Sequence, residues 1–141
     1  MTTAEQNEAA ARRCVDLFNK RTLEWVDTCY AEAAEWVELP LAGTPKGRRG
    51  KRAVLRETAE RLLRLFPDRQ MTVLNVVAQG EQVVMELDWQ GTAAATVRNL
   101  SVGTLVHLRV ASFFTFADGL IVQQTEYGVP IPINVEHIQG A

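Results

Sequence analysis

Two glutamates near strand ends, a serine and a strand histidine are the residues of this chain best suited to chemistry without a cofactor. Glu126 falls in "LIVQQTEYGVPIP", where alternation puts Leu120, Val122, Gln124 and Glu126 on one face and Ile121, Gln123, Thr125 and Tyr127 on the other. Glu38 falls in "EWVELP" on the same face as Trp36. A carboxyl held in an apolar hollow has its charged form disfavoured, which lifts its pKa toward neutrality and suits it to proton transfer. If Glu38 and Glu126 met there, their like charges would push their pKa values apart. The bland counterpart is a pair of surface glutamates, or one held by an arginine. In "VHLRVASFF", His107 and Arg109 share the face opposite Ser112, Phe114 and Phe116. An inward Ser112 therefore sends His107 outward, toward a subunit contact rather than a reaction. No His, Asp, Glu and Cys spacing reads as a metal site, and His137 falls in a C-terminal tail.

The stretch "ELPLAGTPKGRRGKR", Glu38 to Arg52, is a second place where chemistry could sit. A phosphate-cradling loop needs a glycine five residues before its Gly-Lys pair. Counting back from Gly50-Lys51, that position is Pro45, and Arg52 stands where Ser or Thr would bind a metal. Nucleic-acid binding fits no better, because aromatics for base stacking are not interleaved and the net charge is −2. Nine of the fifteen Lys and Arg lie between Lys46 and Arg69, so the rest of the chain is acidic. A solvated basic rim, able to draw in an anion, is the expectation for this stretch.

These residues need elements to hold them. At 141 residues, 47% hydrophobic and 23% charged, the chain fits one domain spanning 1–141 with material for a core. No apolar run approaches the roughly 20 residues that cross a bilayer. The start, "MTTAEQNEAAARR", lacks a secretion signal, and Cys14 and Cys29 read as free thiols, which together predict a cytoplasmic protein without membrane partners. Thr3 and Gln6 suggest a capping box opening a helix with Ala10, Cys14, Leu17 and Phe18 along one side. A short helix after Thr22 presents Val26, Cys29 and Tyr30, and a third carries Leu55, Ala59, Leu62 and Phe66 up to Pro67. From Met71 the period becomes two, through "MTVLNVVAQ", then Val83, Met85, Leu87 and Trp89 against Val84, Glu86, Asp88 and Gln90. "TLVHLRVASFFTF" and the last strand are joined at Asp118-Gly119, a tight-hairpin pair. Three helices followed by hairpin-linked strands predict an α+β layout with the helices on one side of a curved antiparallel sheet.

This order, with "YAEAAEWVELP", "GRRGKRAVL", "FPDRQMTVLNVVAQGEQVVMELDWQGT" and "FFTFADGLIVQQTEY", resembles the nuclear-transport-factor-2-like superfamily, in particular its SnoaL-like polyketide cyclase and ketosteroid isomerase group. The resemblance implies a cone-shaped, cystatin-like α+β barrel, its curved antiparallel sheet wrapped around three N-terminal helices. It also implies a deep apolar cavity and a homodimer. Glu126 then stands where the cyclases place an acid/base aspartate. Their histidine, fourteen residues upstream, corresponds to Ser112, which can hold an oxygen but cannot shuttle protons near neutrality. Leu39 replaces the ketosteroid isomerase base and Cys14 its oxyanion tyrosine. An epoxide-hydrolase Asp-Arg-Asp set would use Arg109, which has no carboxylate two residues away.

The expectation is a cofactor-free acid/base enzyme acting on a small apolar oxygenated molecule, of isomerase, cyclase, dehydratase or epoxide hydrolase type. Glu126 would move the proton, with Ser112 or Glu38 orienting an oxygen. Cys14, Phe18, Tyr30, Trp36, Trp89, Phe114, Gln124 and Tyr127 would line the cavity. The rival reading is a non-catalytic ligand-binding or dimeric interaction module that kept the cavity and lost the chemistry.

Overall fold

A computed structural model describes residues 2–41 and 43–132; His137 lies outside the described residues. Among the described residues, three helices and six strands follow one another as α1 (Thr3–Phe18), α2 (Glu24–Cys29), β1 (Tyr30–Glu38), β2 (Arg48–Gly50), α3 (Arg52–Leu65), β3 (Gln70–Gln79), β4 (Gln82–Thr92), β5 (Leu105–Ala117) and β6 (Leu120–Pro130). The strands form one sheet in the order β2-β1-β6-β5-β4-β3.

Local chemistry explains most boundaries. The α1 capping box is made by Thr2 and Glu5, one residue earlier than Thr3 and Gln6 suggest: the Thr2 hydroxyl accepts from the Glu5 N–H, and the Glu5 carboxylate accepts from the Thr2 N–H. α3 stops at Phe66, where Pro67 cannot continue the ladder. Gly80 and the pair Asp118 and Gly119 take positive φ, closing the β3–β4 and β5–β6 hairpins. Tyr30, expected on the second helix, is instead the first residue of β1.

The sheet is curved and unclosed, and it is mixed rather than wholly antiparallel. The hairpins give antiparallel pairs from β3 to β6, but β1 and β6 run parallel. The physical reason is connectivity: β1 reaches β6 only after the chain has passed through α3 and the whole meander, so no hairpin constrains its direction. The Pro/Gly stretch after β1 folds back as β2, antiparallel to β1. Val83, Met85 and Leu87 point inward as alternation requires, meeting Val15, Phe18 and Ala11 from α1 and Leu55 and Ala59 from α3 in one core.

β6 departs from simple alternation. Phe116 pairs with Ile121 and Thr115 with Gln123, leaving Val122 as an extra residue. This bulge turns Ile121 inward, fully buried, and Leu120 outward, so the expected face Leu120, Val122, Gln124 and Glu126 holds only from Gln124 onward.

Candidate functional site

One lateral row of the sheet collects the polar residues. Across the strands, Arg48 of β2 faces Glu38 of β1, Glu38 faces Glu126 of β6, Glu126 faces Ser112 of β5, and Ser112 faces Met85 of β4. The adjoining row runs Gly50, Trp36, Gln124, Phe114 and Val83. Because period two puts both rows on the inner face, Glu126 lies among Trp36, Gln124 and Ser112, all buried, with Glu38 beside it at the sheet's margin.

Hydrogen bonds organise these side chains into a chain of donors. The Tyr30 hydroxyl donates to Gln124 Oε1. Gln124 Nε2 donates to Glu126 Oε1 at 2.5 Å and approaches Ser112 Oγ at 3.5 Å. The Trp36 indole lies beside the Glu126 carboxyl. Glu38 turns to the other side, taking Arg48 Nε at 3.5 Å and the Thr44 hydroxyl at 3.4 Å.

Electrostatics then set Glu126 apart. Burial and the neighbouring Glu38 charge push its pKa up to about 7, against the opposing pull of the Trp36 indole, Arg48 and the Gln124 bond. Tyr30 is raised well above the phenol range, first by burial and then by nearby Cys14 and Glu126. Cys14 is likewise raised, by its hydrogen bond with Cys29, its burial and the Cys29 and Glu126 charges. Both cysteines are free thiols in the core. A carboxyl titrating near neutrality with the Ser112 hydroxyl beside it can take a proton from a carbon acid and return it, while that hydroxyl holds a developing oxyanion.

The expected residues do not all converge. Glu126, Ser112, Glu38, Trp36, Phe114 and Gln124 occupy the two rows; Tyr30, paired with Ile121 at the start of β1, reaches Gln124 through its hydroxyl, and Cys14 approaches from α1. Phe18 sits further back, edge-on to Trp25 at 5.3 Å. Trp89 faces inward but lies four residues along β4 from Met85, roughly 13 Å away, and packs edge-on against Phe66 at 5.1 Å. Tyr127 does not line the interior: it is on the outer face, half exposed and edge-on to Phe113 at 5.7 Å, because it follows an inward Glu126. Five of the expected cavity walls, Cys14, Phe18, Tyr30, Trp36 and Phe114, pack into the shared core, Phe18 and Tyr30 each edge-to-face with Trp25.

The outer face also claims His107 and Arg109. His107 Nε2 lies 2.6 Å from Asp88 Oδ1, and Arg109 reaches Asp88 at 3.6 Å and Glu86 at 3.5 Å. Burial works against the Asp88 charge, but bonds from His107 and Gln90 and the Arg109 charge hold it below the usual carboxylate range. Arg109 thus finds its carboxylates on a neighbouring strand, away from the inner rows. Arg48 is the site neighbour that sequence reasoning missed, having been assigned to a solvated rim. Its signal was present in "PLAGTPKG", whose two prolines and two glycines can reverse the chain onto β1. Among the described residues, no group of three His, Cys, Asp or Glu side chains could hold a metal ion, and no helix is long and apolar enough to cross a membrane.

Comparison with known proteins agrees with this architecture. The SnoaL-like domain model matches residues 11–124. No curated protein matches the chain. Among solved structures, IdmH, a proposed polyketide cyclase from Streptomyces antibioticus, is 21% identical with a TM-score of 0.74, covering 87% of this chain and 91% of its own. AclR, a proposed hydroxylase from Streptomyces galilaeus, is 16% identical with a TM-score of 0.75, over 89% of this chain and 76% of its own. A proposed ketosteroid isomerase from Kribbella flavida is 24% identical with a TM-score of 0.64, over 99% and 87%. At these identities the likeness is one of fold.

Proposed function

The chain belongs to the SnoaL-like domain family, and on that premise we propose that it is a cofactor-free acid/base enzyme whose Glu126 moves a proton on a small apolar oxygenated molecule. Glu126 carries the reading: its pKa is lifted to about 7 on the inner face of the sheet, beside hydroxyl and amide donors. Near pH 7 such a group is populated in both forms, so it can act first as base and then as acid. The reaction class this suits best is proton abstraction beside a carbonyl, the step shared by isomerisation and aldol-type cyclisation. The Ser112 hydroxyl, which accepts from Gln124 and keeps its own proton to donate, is the group to hold the enolate oxygen. Trp36 and Phe114 flank the carboxyl with apolar surface. Glu126 is partly exposed while the side chains behind it are buried, so a substrate approaches from the Glu38–Arg48 margin.

The test needs no knowledge of the natural substrate. Exchange of the α-protons of 2-tetralone in D2O, followed by NMR, should be accelerated by the protein, with a rate that rises through a midpoint near pH 7. Glu126→Gln should abolish the acceleration. A rate equal to buffer for the wild type, or an unchanged rate in Glu126→Gln, would remove the proposal.

A second reading, a dimeric interaction module, is favoured by a separate observation. Leu105, Phe113, Tyr127 and Val129 all lie on the outer face of β5 and β6 and are each about half exposed. A homodimer formed through this face is compatible with either reading.

A further inference from the structure

Arg69, between α3 and β3, is 1% exposed and carries its guanidinium into the protein. Among the described residues neither Nη1 nor Nη2 has a hydrogen-bond acceptor in reach. Its one evident compensation is the Phe18 ring, 4.5 Å below Cζ. A second orphan donor flanks the same ring: Trp25, edge-on to Phe18, has a buried indole N–H without a partner. A second cation adds to the imbalance. Arg21, in left-handed backbone at φ 63°, bonds to the Arg69 carbonyl at 3.3 Å and the Asp68 carbonyl at 3.2 Å. Asp68, the nearest acid in sequence, directs its carboxylate to the Thr92 N–H instead.

Arginine does not relieve such a burial by losing its proton near neutral pH. Even with burial and Arg21 pulling its pKa down to about 10, Arg69 stays charged. A desolvated cation without an acid is strongly unfavourable, and a cation–π contact offsets only part of that. The same fork is an unused recognition surface, because two parallel N–H donors match the two oxygens of a carboxylate.

We infer that Arg69, with Trp25 and the Phe18 ring, forms a binding subsite for the carboxylate of a small organic acid. The guanidinium takes both carboxylate oxygens, the indole N–H offers a further donor, and Phe18 gives the acid's carbon skeleton an apolar wall. The corner that ties Asn19 to Met71, through two bonds of 2.8 Å, and Arg21 to Asp68 and Arg69 is the cover that must loosen to admit it. This subsite is independent of Glu126 and of any proton transfer.

The test is a thermal titration of the whole protein in a low-chloride sulfonate buffer with sodium benzoate, sodium acetate or sodium chloride at matched ionic strength. Benzoate should raise Tm by roughly 4 °C at about ten times its Kd and continue to raise it with the logarithm of concentration, with acetate weaker and chloride without such a rise. Arg69→Met, which keeps an apolar stem over Phe18, should fold with a Tm at or above the wild type and lose the benzoate response. Arg69→Lys keeps the charge but not the fork and should weaken benzoate at least about tenfold. In the wild type, benzoate should also shift the Trp25 indole N–H resonance, a readout that does not depend on any variant folding. Equal shifts from chloride and benzoate would overturn the carboxylate assignment. A wild type whose Tm benzoate does not raise at matched ionic strength, or an Arg69→Met protein that keeps the rise, would overturn the subsite.

Discussion

Replacing Glu126 with Gln should make the protein's stability nearly independent of pH across the range in which the wild type weakens. In the unfolded chain Glu126 titrates near 4.5, and in the folded protein near 7. Below pH 4.5 both states hold the proton, and the neutral carboxyl suits its surroundings. Between pH 4.5 and 7 the unfolded chain releases the proton while the folded chain keeps it, so stability falls as pH rises. Above pH 7 both are ionised and the loss is complete. Moving a carboxyl from 4.5 to about 7 corresponds to about 3 kcal/mol at most, and partial exposure of Glu126 brings the expectation to about 2 kcal/mol. Gln has the shape of the neutral acid, so it removes the titration and keeps the bulk. The assay is urea denaturation of both proteins at pH 4.5, 5.5, 6.5 and 7.5. Other titrating groups are common to both, so the difference between the two curves isolates Glu126. The wild type should lose about 2 kcal/mol relative to Glu126→Gln from the lowest to the highest pH. Parallel curves would show that the carboxyl is solvated as an ordinary surface glutamate, and the argument from burial would be wrong.

Glu38→Gln removes the like charge next to Glu126 and frees Arg48 to act on it, so the Glu126 midpoint should fall below 7 when followed by carboxyl 13C NMR; an unmoved midpoint would show that burial acts alone. Gly47→Ala places a Cβ 2.5 Å from the Glu38 carbonyl oxygen at a φ of +69°. It should cost about 1–3 kcal/mol in urea denaturation and disturb the β2 return that brings Arg48 to Glu38.

Most of the fold was legible because its elements are marked locally. The change of period at Met71, the Asp118-Gly119 turn and the halt at Pro67 each act within a few residues. The inward set Val83, Met85, Leu87 and Trp89 could be read directly, since β4 keeps strict alternation. What could not be read was non-local. The parallel pairing of β1 with β6 depends on a partner some ninety positions away, and no local signal sets its register. The candidate site was legible in the same proportion. Ser112 followed from alternation along β5, and Gln124 and Glu126 from alternation along β6, whereas the Glu38–Glu126 encounter depended on that parallel register. Arg48 was obscured by the charges around it: in a run of basic residues, only the folded chain shows which one turns toward an acid. Tyr127 could be excluded by parity, and the structure does exclude it from the interior.

The surplus residue at Val122 has a consequence for how an interior acid can come and go in such a sheet. Counting from the hairpin, Ile121 is inward, and unbroken alternation would carry Gln123, Thr125 and Tyr127 inside after it. Because Val122 is skipped, the count changes from odd to even, and Glu126 takes the place opposite Ser112 that Thr125 would have had. Pairing Val122 regularly with Thr115 instead of skipping it would bring Thr125 opposite Ser112 and turn the Glu126 carboxyl outward, with no change of sequence. For this part of the chain, reactivity is set by register before residue type.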